Sequence, residues 1–143
     1  MSEQFESMKK KMVEQNEENF GDEIREKYGE EAYEASNNVI MGLTEEKWLK
    51  SEEIRKKAED ALKKAAENGN PESEEALKAA KLHGEWASTF WENGEYSPEA
   101  HELLADLYVQ DDRYKSYYDA VVSGGAEFLN KAVKNYIKNN YKK

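Results

Sequence analysis

The chain has 143 residues and a mass of 16.5 kDa, enough for one domain with a single core that needs neither disulfides nor a structural metal. Its formal charge of -10 sets it against phosphate backbones and anionic lipid, which reward clustered Lys and Arg, so neither nucleic acid nor membrane is expected as a direct partner. Cysteine is absent, which removes thiol nucleophiles and cysteine-ligated zinc and fits a cytoplasmic setting, and no N-terminal apolar run is long enough for a signal peptide or a membrane span.

Period-two alternation is nearly absent, while Ala, Glu, Lys and Leu dominate between turn signals, so the pattern predicts an all-α chain of about seven helices. With 36% charged against 38% hydrophobic residues, apolar surface is confined to narrow stripes. The first helix, Glu3 to Asn19, carries Phe5, Met8, Met12 and Phe20 in a sparse row. After Gly21 a second helical region carries Ile24, Tyr28, Ala32, Ala35 and Val39, with an interruption at Gly29. Thr44 reads as an N-cap ahead of Glu45 and Glu46. The helix it opens turns Trp48, Ile54, Ala58, Ala61 and Ala65 inward and stops at Asn68-Gly69-Asn70.

Asn70-Pro71 and Ser97-Pro98 each pair a capping residue with a proline suited to a first helical position. The helix after Pro71 presents Ala76, Ala80, His83, Ala87, Phe90 and Trp91, with Ala79 and Trp86 flanking, and ends at Asn93-Gly94. The next, from Ser97-Pro98, carries Ala100, Leu103, Leu104, Leu107 and Tyr108. Asp111-Asp112 caps a short helix with Tyr114, Tyr117 and Tyr118. After Ser123-Gly124-Gly125 comes the clearest stripe of all, Phe128, Leu129, Ala132, Val133, Tyr136 and Ile137, followed by fraying over Asn139 to Lys143.

Little of this is catalytic. Ser88, His83 and Asp106 could be drawn as a triad, but no nucleophile elbow or Gly-rich phosphate loop accompanies them, and Ser36, Ser97 and Ser123 sit where caps and turns use serine. His83 and His101 lie on different helices without a third ligand at metal spacing. His83 reads as a partly buried imidazole bonded across the core or as a ligand-facing group; His101 reads as a surface residue on the first turn of its helix or as a polar ligand contact. Acidic pairs such as Glu52-Glu53, and the basic runs Lys9-Lys10-Lys11 and Lys142-Lys143, read as solvated faces. No enzyme activity, metal or cofactor is expected.

The aromatics divide in two. Trp86, Phe90, Tyr108, Phe128 and Tyr136 fit a core stripe, whereas Trp91, Tyr96, Tyr114, Tyr117 and Tyr118 gather at turns and helix ends, where rings with polar tips line clefts. The expected ligand contacts are His83, Trp86, Phe90, Trp91, Tyr96, His101, Tyr108 and Tyr117. A groove of this kind also suits a partner helix, which is the alternative reading.

The order of these features carries a family likeness. A helix with His83 and Trp86, then Phe90-Trp91, YSPEAHELLADLYVQDDRY, Tyr118-Asp119 and GGAEFLNKAVKNY, preceded by GDEIREKYGEEAYEAS and LTEEKW, resembles the TipAS antibiotic-recognition domain. The resemblance implies a globin-like helical domain that binds bulky hydrophobic antibiotics, thiopeptides among them, and is usually fused behind a MerR-type DNA-binding region that couples drug binding to transcription of resistance genes. It further implies a drug-sequestering protein or a sensor domain cut from such a regulator, monomeric for want of the dimerisation helix. Some relatives carry a cysteine just before the Ser or Thr opening the helix that corresponds to Ser97-Pro98; Tyr96 stands there, so binding is expected to be non-covalent. The thin stripes of the first two helices divide the domain into a flexible helical lid, residues 1–42, that orders over the ligand, and a scaffold with an aromatic cleft, residues 43–143.

Overall fold

The computed structural model describes residues 3–18, 22–91 and 94–141, excluding the side chains of Asn16, Ile24, Lys27, Tyr28, Ala32, Ala35 and Ser36. The predicted positions of Asn19, Phe20, Gly21, Asn93, Lys142 and Lys143 also lie outside the described residues. Within them the chain is all-α: α1 (Glu3–Asn16), α2 (Asp22–Tyr28), α3 (Glu30–Met41), α4 (Glu45–Asn68), α5 (Glu74–Ser88), α6 (Pro98–Gln110), α7 (Asp112–Val121) and α8 (Gly125–Tyr141). The eighth helix arises because Gly29, at φ 91°, divides the second helical region into α2 and α3. No helix of the described residues is long and apolar enough to cross a membrane.

Most helix ends follow from local chemistry. Thr44 Oγ1 accepts the Lys47 N–H at 3.1 Å, Ser97 Oγ accepts that of Ala100 at 3.2 Å, and Asp111 Oδ1 accepts that of Arg113 at 3.0 Å, each satisfying a first-turn donor with no intrahelical partner. The Asn70-Pro71 expectation is corrected. Asn70 Oδ1 accepts the Glu72 N–H at 2.9 Å and so folds a turn around Pro71, and the cap of α5 is Ser73, whose hydroxyl accepts the Ala76 N–H at 3.2 Å. α5 also stops at Ser88, short of Phe90 and Trp91; Ser88 Oγ donates back to Glu85 O at 3.1 Å, a local bond that competes with helix continuation. α8 persists to Tyr141 where fraying is expected, with the Tyr141 ring 5.6 Å from that of Tyr96.

The chain forms two compact units, Met1–Ser51 with Thr89–Glu95, and Glu52–Ser88 with Tyr96–Lys143. In the first, α3 packs against α1 and α2, and Phe5, Tyr33 and Leu43 are buried. Lys9 is 1% exposed: its ammonium donates to Met41 O at 2.8 Å and Leu43 O at 3.0 Å and pairs with Glu6 at 3.2 Å. It thereby satisfies carbonyls that the end of α3 leaves unbonded. Arg25 stacks over the Tyr33 ring at 4.2 Å and makes a two-pronged pair with Glu17, which also accepts from the Tyr33 hydroxyl.

In the second unit α8 packs against α5, α6 and α7, and α6 against α7. Leu129, Ala132, Val133 and Ile137 of the predicted stripe are buried, with Phe128 and Tyr136 partly so. α5 faces them with Ala76, Ala79 and Ala80, whose small side chains permit close helix approach. From α4 the buried contributions are Ala58, Leu62 and Ala65. Leu62, absent from the sequence-derived stripe, is the bulkiest of the three; Ile54 and Ala61 are half-buried.

Candidate ligand-binding site

Two histidines and two tyrosines form a buried polar chain across the second unit. The Tyr96 hydroxyl lies 2.7 Å from His101 Nδ1, His101 Nε2 lies 2.8 Å from His83 Nδ1, and His83 Nε2 lies 3.0 Å from the Tyr108 hydroxyl. The two ring centroids lie 5.1 Å apart with planes 12° from parallel, so the imidazoles meet edge to edge through the bond between them. Each neutral imidazole donates once and accepts once, so two proton arrangements satisfy the whole chain, running in opposite directions. Burial, and secondarily His101, lowers the His83 pKa to about 3; burial lowers that of His101 to about 4. Both rings are therefore neutral at ordinary pH. Burial likewise raises the Tyr108 hydroxyl well above the usual phenol range.

His101 is 0% exposed, which corrects its reading as a surface residue. It is admitted by Gly84 on α5. A Cβ there would stand 2.7 Å from Tyr96 Cε1 and 3.0 Å from His101 Cε1, so the glycine is what lets both rings approach the helix backbone.

On the other side of His83 lies a hollow lined by Arg55, Ala58, Glu59 and Leu62 of α4, Ala79, His83 and Trp86 of α5, Tyr118 of α7 and Leu129 of α8. With its open mouth it spans about 290 Å³, while its interior has room for about one water molecule. Trp86 is half-buried, its ring 5.6 Å from His83. Outside this lining, the Tyr117 hydroxyl donates to Glu59 Oε2 at 3.0 Å and accepts from Arg55 Nη1 at 3.4 Å. Arg55 is itself clamped by Glu52 at 2.8 Å and Glu59 at 2.6 Å.

Of the eight expected contacts, the structure brings His83 and Trp86 to the hollow and bonds Tyr117, outside its lining, to the lining residues Arg55 and Glu59. His101 and Tyr108 are buried behind His83, and Tyr96 closes the far end of the chain. Phe90 and Trp91 belong to the first unit, where Phe90 meets Trp48 edge-on at 6.3 Å. Sequence reasoning missed Arg55, Glu59, Leu62 and Leu129 as lining residues and left Tyr118 as a general cleft aromatic. The signal was present: Arg55, Ala58, Glu59 and Leu62 recur at i, i+3, i+4 and i+7, one face of a helix.

An all-helical domain with an aromatic-edged hollow, backed by polar groups fixed in place, has the construction of a small-molecule recognition domain. The family model of the TipAS antibiotic-recognition domain matches residues 20–136, and the chain belongs to that family. Among solved structures it is similar to TipAS of Streptomyces lividans in complex with nosiheptide, from a thiopeptide antibiotic multidrug resistance system, at 24% identity over 87% of each chain with a TM-score of 0.67. That likeness establishes the all-α, globin-like fold. No curated protein matches the chain.

Proposed function

We propose that the chain binds a bulky aromatic antibiotic of the thiopeptide type without covalent attachment, sensing or sequestering it in the cytoplasm, and that the hollow at Trp86 is where one planar group of the ligand anchors. The observation that carries the reading is the fixed pairing of Trp86 with His83: a large half-buried ring beside a neutral imidazole whose two nitrogens are already bonded, which offers flat, desolvated, pre-oriented surface. Trp86, His83 and Tyr117 are the contacts we assign. His101, Tyr108 and Tyr96 act through His83 by holding its ring, and Phe90 and Trp91 are assigned to a further contact surface in the first unit. The absence of cysteine supports reversible binding, because no thiol is at hand to add to a dehydroamino acid.

Ordering of the lid, residues 1–42, accompanies binding in this reading. Its support is that Phe5 and Tyr33 are the buried hydrophobics among the described residues of that segment, little apolar surface against the entropy of ordering it. Nothing in the hollow suits the alternative of a partner helix, which requires a groove with anchors spaced over several turns. Turnover has no support either, since the histidines that would serve as bases are bonded at both nitrogens.

Titration with nosiheptide, read by tryptophan emission, tests the reading. A saturable change, with the drug recovered at unaltered mass, is the expected result; no change in emission or in melting temperature at saturating drug would overturn it.

A further inference from the structure

The hollow has one rigid wall and one loose one. On the α5 side, His83 is bonded at both nitrogens, Gly84 lies against Tyr96 and His101, and α5 packs closely on α8. On the α4 side the inward residues are Ala58, Leu62 and Ala65, and among the described residues α4 is not one of the closely packed helix pairs α5/α8, α6/α8, α7/α8 and α6/α7. Leu62 is the single large side chain that α4 sends into the core, between the small Ala58 and Ala65, so α4 interlocks with the bundle less than α8 does with its Leu129, Val133 and Ile137. The interior between the walls admits about one water, far less than any aromatic group. A guest therefore requires the walls to part, and α4 is the one free to give.

We propose that Tyr117 is the latch that holds α4 closed over the hollow and thereby sets the rate at which a ligand group passes Trp86 into its interior. This rests, for its ligand arm, on the antibiotic-binding reading above. Tyr117 on α7 ties to α4 through Glu59 and Arg55, and both of those residues line the hollow. The tie is built to open. Tyr117 is 46% exposed, so water replaces its hydrogen bonds as they break, and Arg55 keeps its carboxylate partners Glu52 and Glu59 on its own helix whether the latch is shut or not. A hydrogen bond of this exposed kind shifts an open-closed equilibrium by roughly two- to tenfold. That suits a gate rather than a lock.

The test uses Tyr117→Phe, which keeps the ring and removes the hydroxyl, in a protein carrying Trp48→Phe and Trp91→Phe so that Trp86 is the one indole left. Acrylamide, a small neutral quencher, reports access to Trp86 without any antibiotic. The latch predicts a quenching constant in Tyr117→Phe above the level that the accessible edge of Trp86 already gives, and amide exchange across residues 55–62 at least about twofold faster, with neither change in Tyr114→Phe, a neighbouring α7 tyrosine whose ring lies 5.5 Å from that of Tyr108. Unchanged quenching in Tyr117→Phe, or an equal rise in Tyr114→Phe, would overturn it. Should the tryptophan replacements impair folding, amide exchange across residues 55–62 in the otherwise native chain gives the same decision: faster in Tyr117→Phe if the latch exists, equal if it does not. Stopped-flow mixing with nosiheptide then separates roles, since a latch raises the association rate of Tyr117→Phe whereas a contact alone raises the dissociation rate. If nosiheptide fails to bind the unmodified chain, the functional reading falls while the quenching result still decides the latch.

Discussion

His83 Nδ1 and His101 Nε2 stand 2.8 Å apart between two nearly parallel rings that meet edge to edge, neither exposed beyond 3%. A contact this close between two imidazoles requires exactly one proton between them, and protonating either ring further would bury a charge beside a second basic group. Polarity is thus used here to fix geometry rather than to carry charge. No buried side-chain nitrogen or oxygen among the described residues lacks a partner, which is the condition under which a buried polar network rigidifies a core.

Acidification should therefore destabilise the second unit in a defined window. Both folded-state pKa values are depressed, to about 3 and about 4, from 6.5 in the unfolded chain. Above that value both states are neutral and the full stability is present; as pH falls below 6.5 the unfolded state takes up protons that the folded state declines, so stability drops until the folded pKa values are reached. Each histidine contributes a slope of at most about 1.4 kcal/mol per pH unit. Glu17, Asp106 and Asp119, whose pKa values are lowered chiefly by hydrogen bonds to Arg25, Lys134 and Lys115, act lower, below about 4.5. Urea unfolding between pH 7 and pH 4.5 should show the loss, and His101→Asn should reduce its slope by about half. A flat profile over that interval would contradict neutral burial of the pair.

Gly84→Ala sets two effects against each other. Alanine gains about 1 kcal/mol in helix propensity, but its methyl would stand 2.7 Å from Tyr96 and 3.0 Å from His101, overpacking that typically costs about 1–3 kcal/mol. Both rings are tied into the His chain and yield poorly, so the clash should prevail. The expected result is a net loss of about 1 kcal/mol or more in chemical denaturation; a stabilised variant would show that the rings move aside.

Local rules reached further into the fold than into the site. Thr44, Ser97 and Asp111 cap helices because a short oxygen-bearing side chain ahead of an acidic first turn satisfies its own neighbours, a relation written within a few residues. The α8 stripe is legible for the same reason. His101 and Lys9 are not. The His101 partner lies 18 residues away on another helix, and its burial depends on Gly84, which as a mid-helix glycine looks only unfavourable. Lys9 sits in a run with Lys10 and Lys11 and differs from them solely in facing carbonyls 32 and 34 residues downstream. Arg55 and Glu59 were obscured differently, since α4 is polar nearly all round and its lining face is half charged.

Lys9→Met keeps most of the side-chain volume and removes the ammonium, leaving Met41 O and Leu43 O without their donor. Loss of a buried partner costs about 1–3 kcal/mol. The effect should be local to the first unit: amide exchange at the end of α3 should accelerate in Lys9→Met, while α8, which has no part in this contact, keeps its protection. Equal acceleration in α8 would mean that Lys9 supports the whole chain rather than the α3 terminus.

Trp86→Leu separates recognition from folding. The indole is half-buried at the mouth of the hollow, so leucine retains part of the apolar contact with the α5 face and should shift the melting temperature by only a few degrees, about what 1 kcal/mol produces in a domain of this size. Binding should suffer more, because leucine replaces a flat ring set against His83 with a branched chain that cannot stack; a central aromatic anchor of this kind is worth about 2 kcal/mol or more, roughly thirtyfold in affinity. Nosiheptide titration followed by calorimetry, which needs no tryptophan signal, measures the change. Affinity within about threefold of the native chain would move the anchor away from Trp86 and toward the other aromatic surface, at Phe90 and Trp91.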